Sequence, residues 1–411
     1  MTELAGYETD WTGRWHGRAR GLERPSSTAE LAEVLARCAR DRIPVTTAGG
    51  RTGLVGGAVP PEDGSALVLS TERLLDVAAV DATGLLRVGA GVPIAAVQRA
   101  ARAAGREYGV DLAARDSATV GGTVATDAGG VHVVGRGTTR AQVVGLEVAL
   151  ADGTVVSDDG RLPKQALGPD VTPLLVGSEG VLGVVTAAVL RLHPAPERIT
   201  VASFPVDGVG AALAVLERAR TLPGLRAVEY AEAPVVDRTH VLVEIAGGVD
   251  ELELLDAAGL GEVSVADDAA GRARLWQERE GATERVAAES VRRGRPVHKL
   301  DVAVPLARLA VFRAALDDVV PAADLRLWGH LAEGNLHVNV WSAGATDDEV
   351  DRRVLDLVLA HDGVISSEHG VGRAKVDAFA RAYPERAALL RRMKDAFDPE
   401  WLLNPGVLVR R

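Results

Sequence analysis

Cysteine occurs once in these 411 residues, at Cys38, so no intrachain disulfide can form and a reducing, cytoplasmic setting is expected. Long apolar runs are also lacking. The most apolar stretch, Leu174 to Leu192, is broken by Glu179 and several glycines, and the first residues carry no basic-plus-apolar leader. Neither an integral membrane segment nor a secretory signal is therefore expected. Positive charge is in deficit: the net charge of −11 argues against nucleic acid or an anionic membrane as main partner. A small anionic substrate stays open, but it needs its own local cations. Lysine is scarcer still, with only Lys164, Lys299, Lys375 and Lys394 among mostly arginine cations, which singles out each survivor. Histidines number nine, yet His330, His337, His361 and His369 crowd into one stretch.

The length predicts two sizeable domains, and the 47% hydrophobic fraction is that of a soluble globular protein. Ser27 and Glu30 are spaced as a capping box, and Leu31, Val34, Leu35 and Cys38 follow on one helical face, making Cys38 core filler. Strands are predicted at 44–47, 66–69, 85–88 and 143–150, with a helix over 94–104. The Pro-rich stop His193-Pro194-Ala195-Pro196 closes the first half. Beyond it, strands at 241–245, 302–304, 325–328 and 336–341 mix with helices at 306–319 and 349–360. A last helix, 387–397, runs into the turn Asn404-Pro405-Gly406.

Three segments place small residues where a backbone could approach a phosphate closely. They are Gly49–Gly57, Ala118–Gly130 and Gly177–Gly183. None matches G-x-G-x-x-G after a strand or the P-loop pattern, so neither NAD nor P-loop nucleotide binding is indicated. Successive amide donors in three such loops suit a pyrophosphate.

The sharpest chemical signal is Gly329-His330-Leu331-Ala332-Glu333-Gly334-Asn335-Leu336-His337-Val338-Asn339. It reads as a β-hairpin around a four-residue turn containing Gly334-Asn335. If Leu331 pairs with Leu336, His330 stands directly opposite His337, and Asn339 shares their face. Opposed Cβ atoms lie roughly 4.5–5.5 Å apart, close enough for two imidazoles to share a metal. Later comes Ser366-Ser367-Glu368-His369-Gly370-Val371-Gly372. Two His plus one Glu is an open-site metal set, for which zinc is expected first, with manganese or iron as alternatives.

The series Gly49-Gly50-Arg51-Thr52-Gly53, Ser117–Gly122, Asp127–Gly130 and Gly177–Gly183 resembles the FAD domain of the vanillyl-alcohol oxidase / p-cresol methylhydroxylase family. With the C-terminal motifs, it is similar to the branch of 2-hydroxy acid dehydrogenases acting on D-2-hydroxyglutarate or D-lactate and the glycolate oxidase large subunit. The resemblance implies an α+β, two-domain flavoprotein: a p-cresol methylhydroxylase-type FAD-binding domain plus a mixed α/β substrate (cap) domain with an antiparallel sheet. The expected spans are 1–196 for the FAD domain, 197–395 for the cap and 396–411 returning to the FAD domain.

By that resemblance, Ala48, Gly49, Gly50, Arg51, Thr52 and Gly53 line the FAD site. So do Ser117, Thr119, Gly121, Gly122, Thr126, Asp127, Gly129 and Gly130. Glu179, Gly180, Val185 and Asn404 complete it. Covalent attachment in related enzymes uses a His or Cys in these loops; here the first loop has Arg51 and His132 lies beyond the second, so non-covalent FAD is expected. The residues matching His330, His337 and Glu368 bind the metal, and the one matching His369 is the catalytic base. Arg279, Thr283, Lys299 and Asn339 match substrate residues, Arg279 and Lys299 gripping carboxylates. A neutral imidazole can take a proton near pH 7, which agrees with a base role for His369.

These readings point to oxidation of a D-2-hydroxy acid, such as D-2-hydroxyglutarate, D-lactate or D-malate, with hydride transfer to FAD. Two cations for carboxylates tilt the choice to a diacid. A single cysteine leaves no internal iron–sulfur relay, so the electron acceptor is expected outside the chain: a quinone or an electron-transfer flavoprotein. A homodimer is the one assembly carried as an expectation. The alternatives are a non-catalytic flavoprotein subunit of a glycolate-oxidase-like complex and a zinc hydrolase.

Overall fold

The structure, a computed structural model, describes residues 3–160, 162, 164–247, 263–342 and 348–411. The chain divides into two compact units. The first comprises Met1–Gly130, Gly137–Ala195 and Glu368–Arg411; the second comprises Val131–Arg136 and Pro196–Ser367. The break after Ala195 falls at the Pro-rich stop. The expected return at 396 moves back to Glu368, because the final two helices, Val376–Ala382 and Pro384–Phe397, pack their apolar faces on the first unit's core.

In the first unit, helix Thr28–Asp41 connects strand Gly21–Glu23 to strand Val45–Ala48. Strand Leu67–Ser70 lies between those two, parallel to both. Ser27 caps the helix by accepting from the Glu30 amide at 3.2 Å, as the spacing predicts. Glu30 reaches back to the Ser26 amide, one residue before the cap. Leu31, Val34, Leu35 and Cys38 form its buried stripe. A second, four-stranded sheet is antiparallel: Leu85–Gly89, Val184–Arg191, Val143–Ala149 and Val155–Asp158, in that order across it. Val184–Arg191 is an inner strand covered on both faces, which explains the continuous apolar run there. Among the described residues, no helix is long and apolar enough to cross a membrane.

The second unit is built on one antiparallel sheet. Its strands run, edge to edge, Ser264–Ala266, Thr200–Pro205, His240–Ile245, Leu225–Ala231, Leu325–His330, Asn335–Trp341 and Val297–Ala303. Side chains alternate between its faces. One face is mostly apolar, with Val228, Val243, Leu300, Leu327 and Val338, and helices Val209–Ala219, Leu306–Val319 and Asp348–Ala360 lie with it. On that face His298 is wholly buried, held by Asp351 at 2.6 Å and Ser342 at 2.7 Å. The opposite face carries Glu229, Glu244, Lys299, Asp301, Arg326, His330, His337 and Asn339. This face bears the candidate chemistry.

Candidate functional site

The three glycine segments, far apart in sequence, meet in the first unit. A Cβ on Gly50 would stand 1.9 Å from the Ser117 carbonyl oxygen, and one on Gly49 2.6 Å from Thr119 Oγ1. Only glycine lets the first loop sit so close to the second. At Gly53 a Cβ would meet nothing within 4 Å, and at Gly57 only Glu179 Oε2 at 4.0 Å. That open margin fits a ligand lying along the loop. Thr119 caps the short helix Val120–Thr126, accepting from the Gly122 amide, and Gly121 packs on Ala90. The third loop then hangs on that helix, Gly177 and Glu179 donating backbone N–H to Val124 and Ala125 at 2.9 and 2.7 Å. Thr126 Oγ1 donates to the Gly122 carbonyl at 3.0 Å.

Several expected cofactor side chains hold the loops instead of facing outward. Asp127 accepts from the Arg140 amide and Nε, both at 2.9 Å, and Arg140 Nη2 donates to the Val176 carbonyl at 2.7 Å. Arg51 lies over the Tyr7 ring and pairs with Glu72 at 2.9 Å. Asn404 joins three strands of chain: its Oδ1 accepts from the Thr47 amide at 2.8 Å and its Nδ2 donates to the Glu179 carbonyl at 2.6 Å. Arg51, Asp127, Glu179 and Asn404 all have positive φ, between 44° and 54°. Non-glycine residues persist in that region only where surrounding contacts fix them. Val185 is an inner-strand residue of the antiparallel sheet, and Ala48 ends its own strand.

Glu179 is buried, and its two oxygens accept from the Val371 and Gly372 amides at 2.8 Å each. Burial pushes its carboxyl up; those amides and the Lys375 charge pull the other way without overcoming it. Glu179 thereby fixes the turn immediately after His369. Glu368, one residue before His369, accepts from the Gly130 amide on Oε1 at 2.6 Å. The Glu368 side chain and the backbone after His369 are thus anchored on the second and third glycine segments.

In the second unit the hairpin forms, with a corrected register. Trp328, not His330, pairs with His337; Leu327 pairs with Val338 and Arg326 with Asn339. A 3-10 turn at Leu331–Glu333, closed by Gly334 at φ 68°, takes up the residues that the shorter expected turn leaves to the strands. The shift is two residues, and two is the side-chain period, so His330 stays on the face of His337. Their ring centroids are 5.3 Å apart at 83°.

Each histidine has a carboxylate at Nδ1. Glu229, across from His330 on the neighbouring strand, accepts from it at 2.6 Å. Asp301, across from His337 on the other side, lies 3.5 Å from His337 Nδ1. Asp301 is wholly buried and also accepts from Asn335 Nδ2 at 2.8 Å and the Ser367 amide at 3.0 Å. A metal would take His330 through Nε2, the nitrogen that a carboxylate at Nδ1 leaves as acceptor.

Arg279 is not a solvated helix residue. It is 7% exposed and donates through Nε and Nη2 to Glu229 Oε2 at 2.8 and 2.6 Å. Burial alone would raise the Glu229 pKa; His330 and Arg279 outweigh it and hold the carboxyl below its ordinary range. Thr283 is the second residue of the next helix, Ala282–Arg293, which Gly281 separates from helix Ala269–Glu280. Lys299 stands opposite Asn339, and burial pushes its pKa down to about 8. Asn339 Nδ2 donates to the carbonyls of His337 and Arg326, at 3.0 and 3.5 Å, so its oxygen is the side a ligand would meet.

Glu229, Asp301 and a second buried hub, Glu244, escaped the sequence reading. Glu244 accepts from Arg226 Nε at 2.7 Å and Trp276 Nε1 at 2.9 Å, and contacts His132 Nε2 at 3.0 Å. Burial opposes ionisation of Glu244, but His132 and Arg226 outweigh it and bring its pKa to about 2. The available signal was period-two polarity: Lys299 and Asp301, Arg326 and His330, and Glu229 inside an apolar strand.

Two family models match the chain: the FAD binding domain over residues 19–159 and the C-terminal domain of FAD linked oxidases over 239–408. The D-2-hydroxyglutarate dehydrogenase of Xanthomonas citri pv. viticola is 36% identical, covering 99% of this chain and 92% of its own. The D-lactate dehydrogenase of Archaeoglobus fulgidus is 34% identical over 94% of this chain and 91% of its own. Among solved structures, 6-hydroxy-D-nicotine oxidase from Arthrobacter nicotinovorans shares the fold, with a TM-score of 0.69 at 17% identity, covering 100% of this chain and 96% of that one. The expected α+β flavoprotein architecture is borne out, and with it the flavin; by these likenesses the chain belongs to the FAD-linked oxidases and is a flavin-dependent oxidoreductase.

Proposed function

We propose that this oxidoreductase dehydrogenates a D-2-hydroxy acid of the D-2-hydroxyglutarate, D-lactate or D-malate kind, giving the 2-oxo acid, at a site with His330, His337 and Glu368 as divalent-metal ligands. The observation that carries the reading is the pair of imidazoles 5.3 Å apart, each with a buried carboxylate at Nδ1. Two aromatic bases and one carboxylate suit zinc first, with manganese or iron as alternatives. The amide of Ser367 is fixed on Asp301, and Glu368 follows it in the chain, a Cα step of about 3.8 Å. This supports Glu368 as the third ligand.

Bound FAD would supply the hydride acceptor and a bound metal would supply Lewis acidity. Arg279 and Lys299 bind carboxylates, Arg279 through the guanidinium edge that Glu229 does not use. His369 takes the proton of the substrate's 2-hydroxyl oxygen onto its imidazole. Glu179 holds the turn behind His369, orienting that base. His132 is engaged by Glu244 and Cys38 is buried in a helix core, which supports non-covalent flavin. The electrons leave to an external quinone or electron-transfer flavoprotein.

A zinc hydrolase does not need the flavin unit, and a non-catalytic subunit does not need carboxylate-backed histidines. Anaerobic mixing with a panel of D- and L-2-hydroxy acids tests the proposal. D-acids are expected to bleach the flavin and L-acids to leave it oxidised; an unbleached flavin with every D-acid sinks it.

A further inference from the structure

Glu229 is 1% exposed and sits on strand Leu225–Ala231 between two groups from different parts of the fold. Its Oε1 meets His330 Nδ1 at 2.6 Å, and its Oε2 meets Arg279 Nη2 at 2.6 Å and Nε at 2.8 Å. The 2.8 Å contact lies in the range of charge-assisted N–H···O hydrogen bonds and the two 2.6 Å contacts fall just short of it. An ionised carboxylate only accepts, so Nδ1 of His330 must carry the proton, and in the neutral ring the lone pair then sits on Nε2. The same carboxylate occupies the Nε edge of Arg279. The guanidinium edge left for a substrate carboxylate is therefore the Nη1/Nη2 pair, whose two N–H groups are parallel.

We infer that Glu229 is a positioning residue that sets both the metal-binding nitrogen of His330 and the carboxylate-binding edge of Arg279. The inference rests on the reading of the site given above. Its physical content is that one buried negative charge serves two donors. Removing it leaves a buried guanidinium without its partner and an imidazole free to adopt the wrong tautomer or tilt. Metal affinity and substrate KM then deteriorate together, although Glu229 contacts neither ligand.

The test uses the whole FAD-loaded protein. In Glu229→Gln one of the two carboxylate oxygens becomes a donating NH2, and since His330 and Arg279 use different oxygens, one of them then faces a donor. Expected are zinc affinity weaker by roughly 10- to 100-fold in chelator competition, a changed visible spectrum of the Co(II)-substituted protein, and a raised KM for the D-2-hydroxy acid. Flavin content stays that of the wild type. Glu229→Asp, which keeps the charge on a stem one methylene shorter, is expected to fall between the two and serves as the deciding variant should the Gln variant not fold. A wild type that binds no zinc, together with a His337→Ala variant that reduces flavin at full rate, overturns the reading of the site. A wild type whose zinc is lost in His337→Ala but kept at unchanged affinity and spectrum in the Glu229 variant overturns the positioning role alone.

Discussion

Trp328 stands directly across the hairpin from His337, with ring centroids 5.9 Å apart, and His330 reaches the same imidazole from one diagonal step away. The indole walls one side of His337 while the Asp301 carboxylate lies 3.5 Å from its Nδ1 on the other. His337 is thereby flanked by neighbours on both adjoining strands.

His337→Ala is expected to abolish stoichiometric metal binding while leaving the flavin in place. Lewis-acid assistance is worth several kcal/mol, so flavin reduction by the substrate should slow by roughly 10³-fold or more. Elemental analysis beside the flavin absorbance of the same sample gives both readouts; full metal content in the variant speaks against the ligand assignment.

For His369→Ala the metal should stay and the chemistry should stop. General-base assistance contributes roughly 10²- to 10⁴-fold, and reduction in single-turnover mixing should fall by that factor. Reduction at wild-type rate would remove His369 from the base role.

Lys299 predicts a pH dependence. Burial disfavours its ammonium form and brings its pKa to about 8, so raising the pH through that value discharges it. The KM for an anionic substrate should therefore climb above pH 8 and be level below it. Lys299→Arg, whose guanidinium stays charged, should keep the KM level through that range. The same climb in the Arg variant would assign the limb to another group.

Gly50→Ala tests the loop packing. The new methyl would lie 1.9 Å from a backbone oxygen that cannot rotate away, so the first two glycine segments must separate. A loss of about 2–3 kcal/mol in stability is expected, accompanied by flavin release. Denaturant unfolding with flavin fluorescence reports both; an unchanged midpoint with full flavin occupancy counts against it.

Much of the second unit's active face was legible because strand periodicity survives small register errors. The hairpin was placed two residues out, and His330 still came to the face of His337 since two is the side-chain repeat. The glycine segments were legible for a different reason: close approach of backbones leaves a local signature, as at Gly50 against Ser117. Glu229 was not legible. Its partners, Arg279 and His330, are 50 and 101 residues away, and nothing in the strand Leu225–Ala231 names them. The return of the chain to the first unit at Glu368 was missed likewise. The segment between Val364, bridged to Ala303, and helix Val376–Ala382 changes allegiance at Glu368 without prolines like those that flank Ala195, and its glycines, Gly370 and Gly372, come only after the crossing.

Val45 donates its backbone N–H to Leu402 at 2.8 Å and accepts from Asn404 at 2.7 Å. An early strand thus waits for residues made long after it. The second unit, whose residues are nearly all contiguous, can mature while that strand still has a bare edge, reversing the usual N-terminal-first order of assembly. Chains cut short before Leu402 would expose that edge as a template for aggregation.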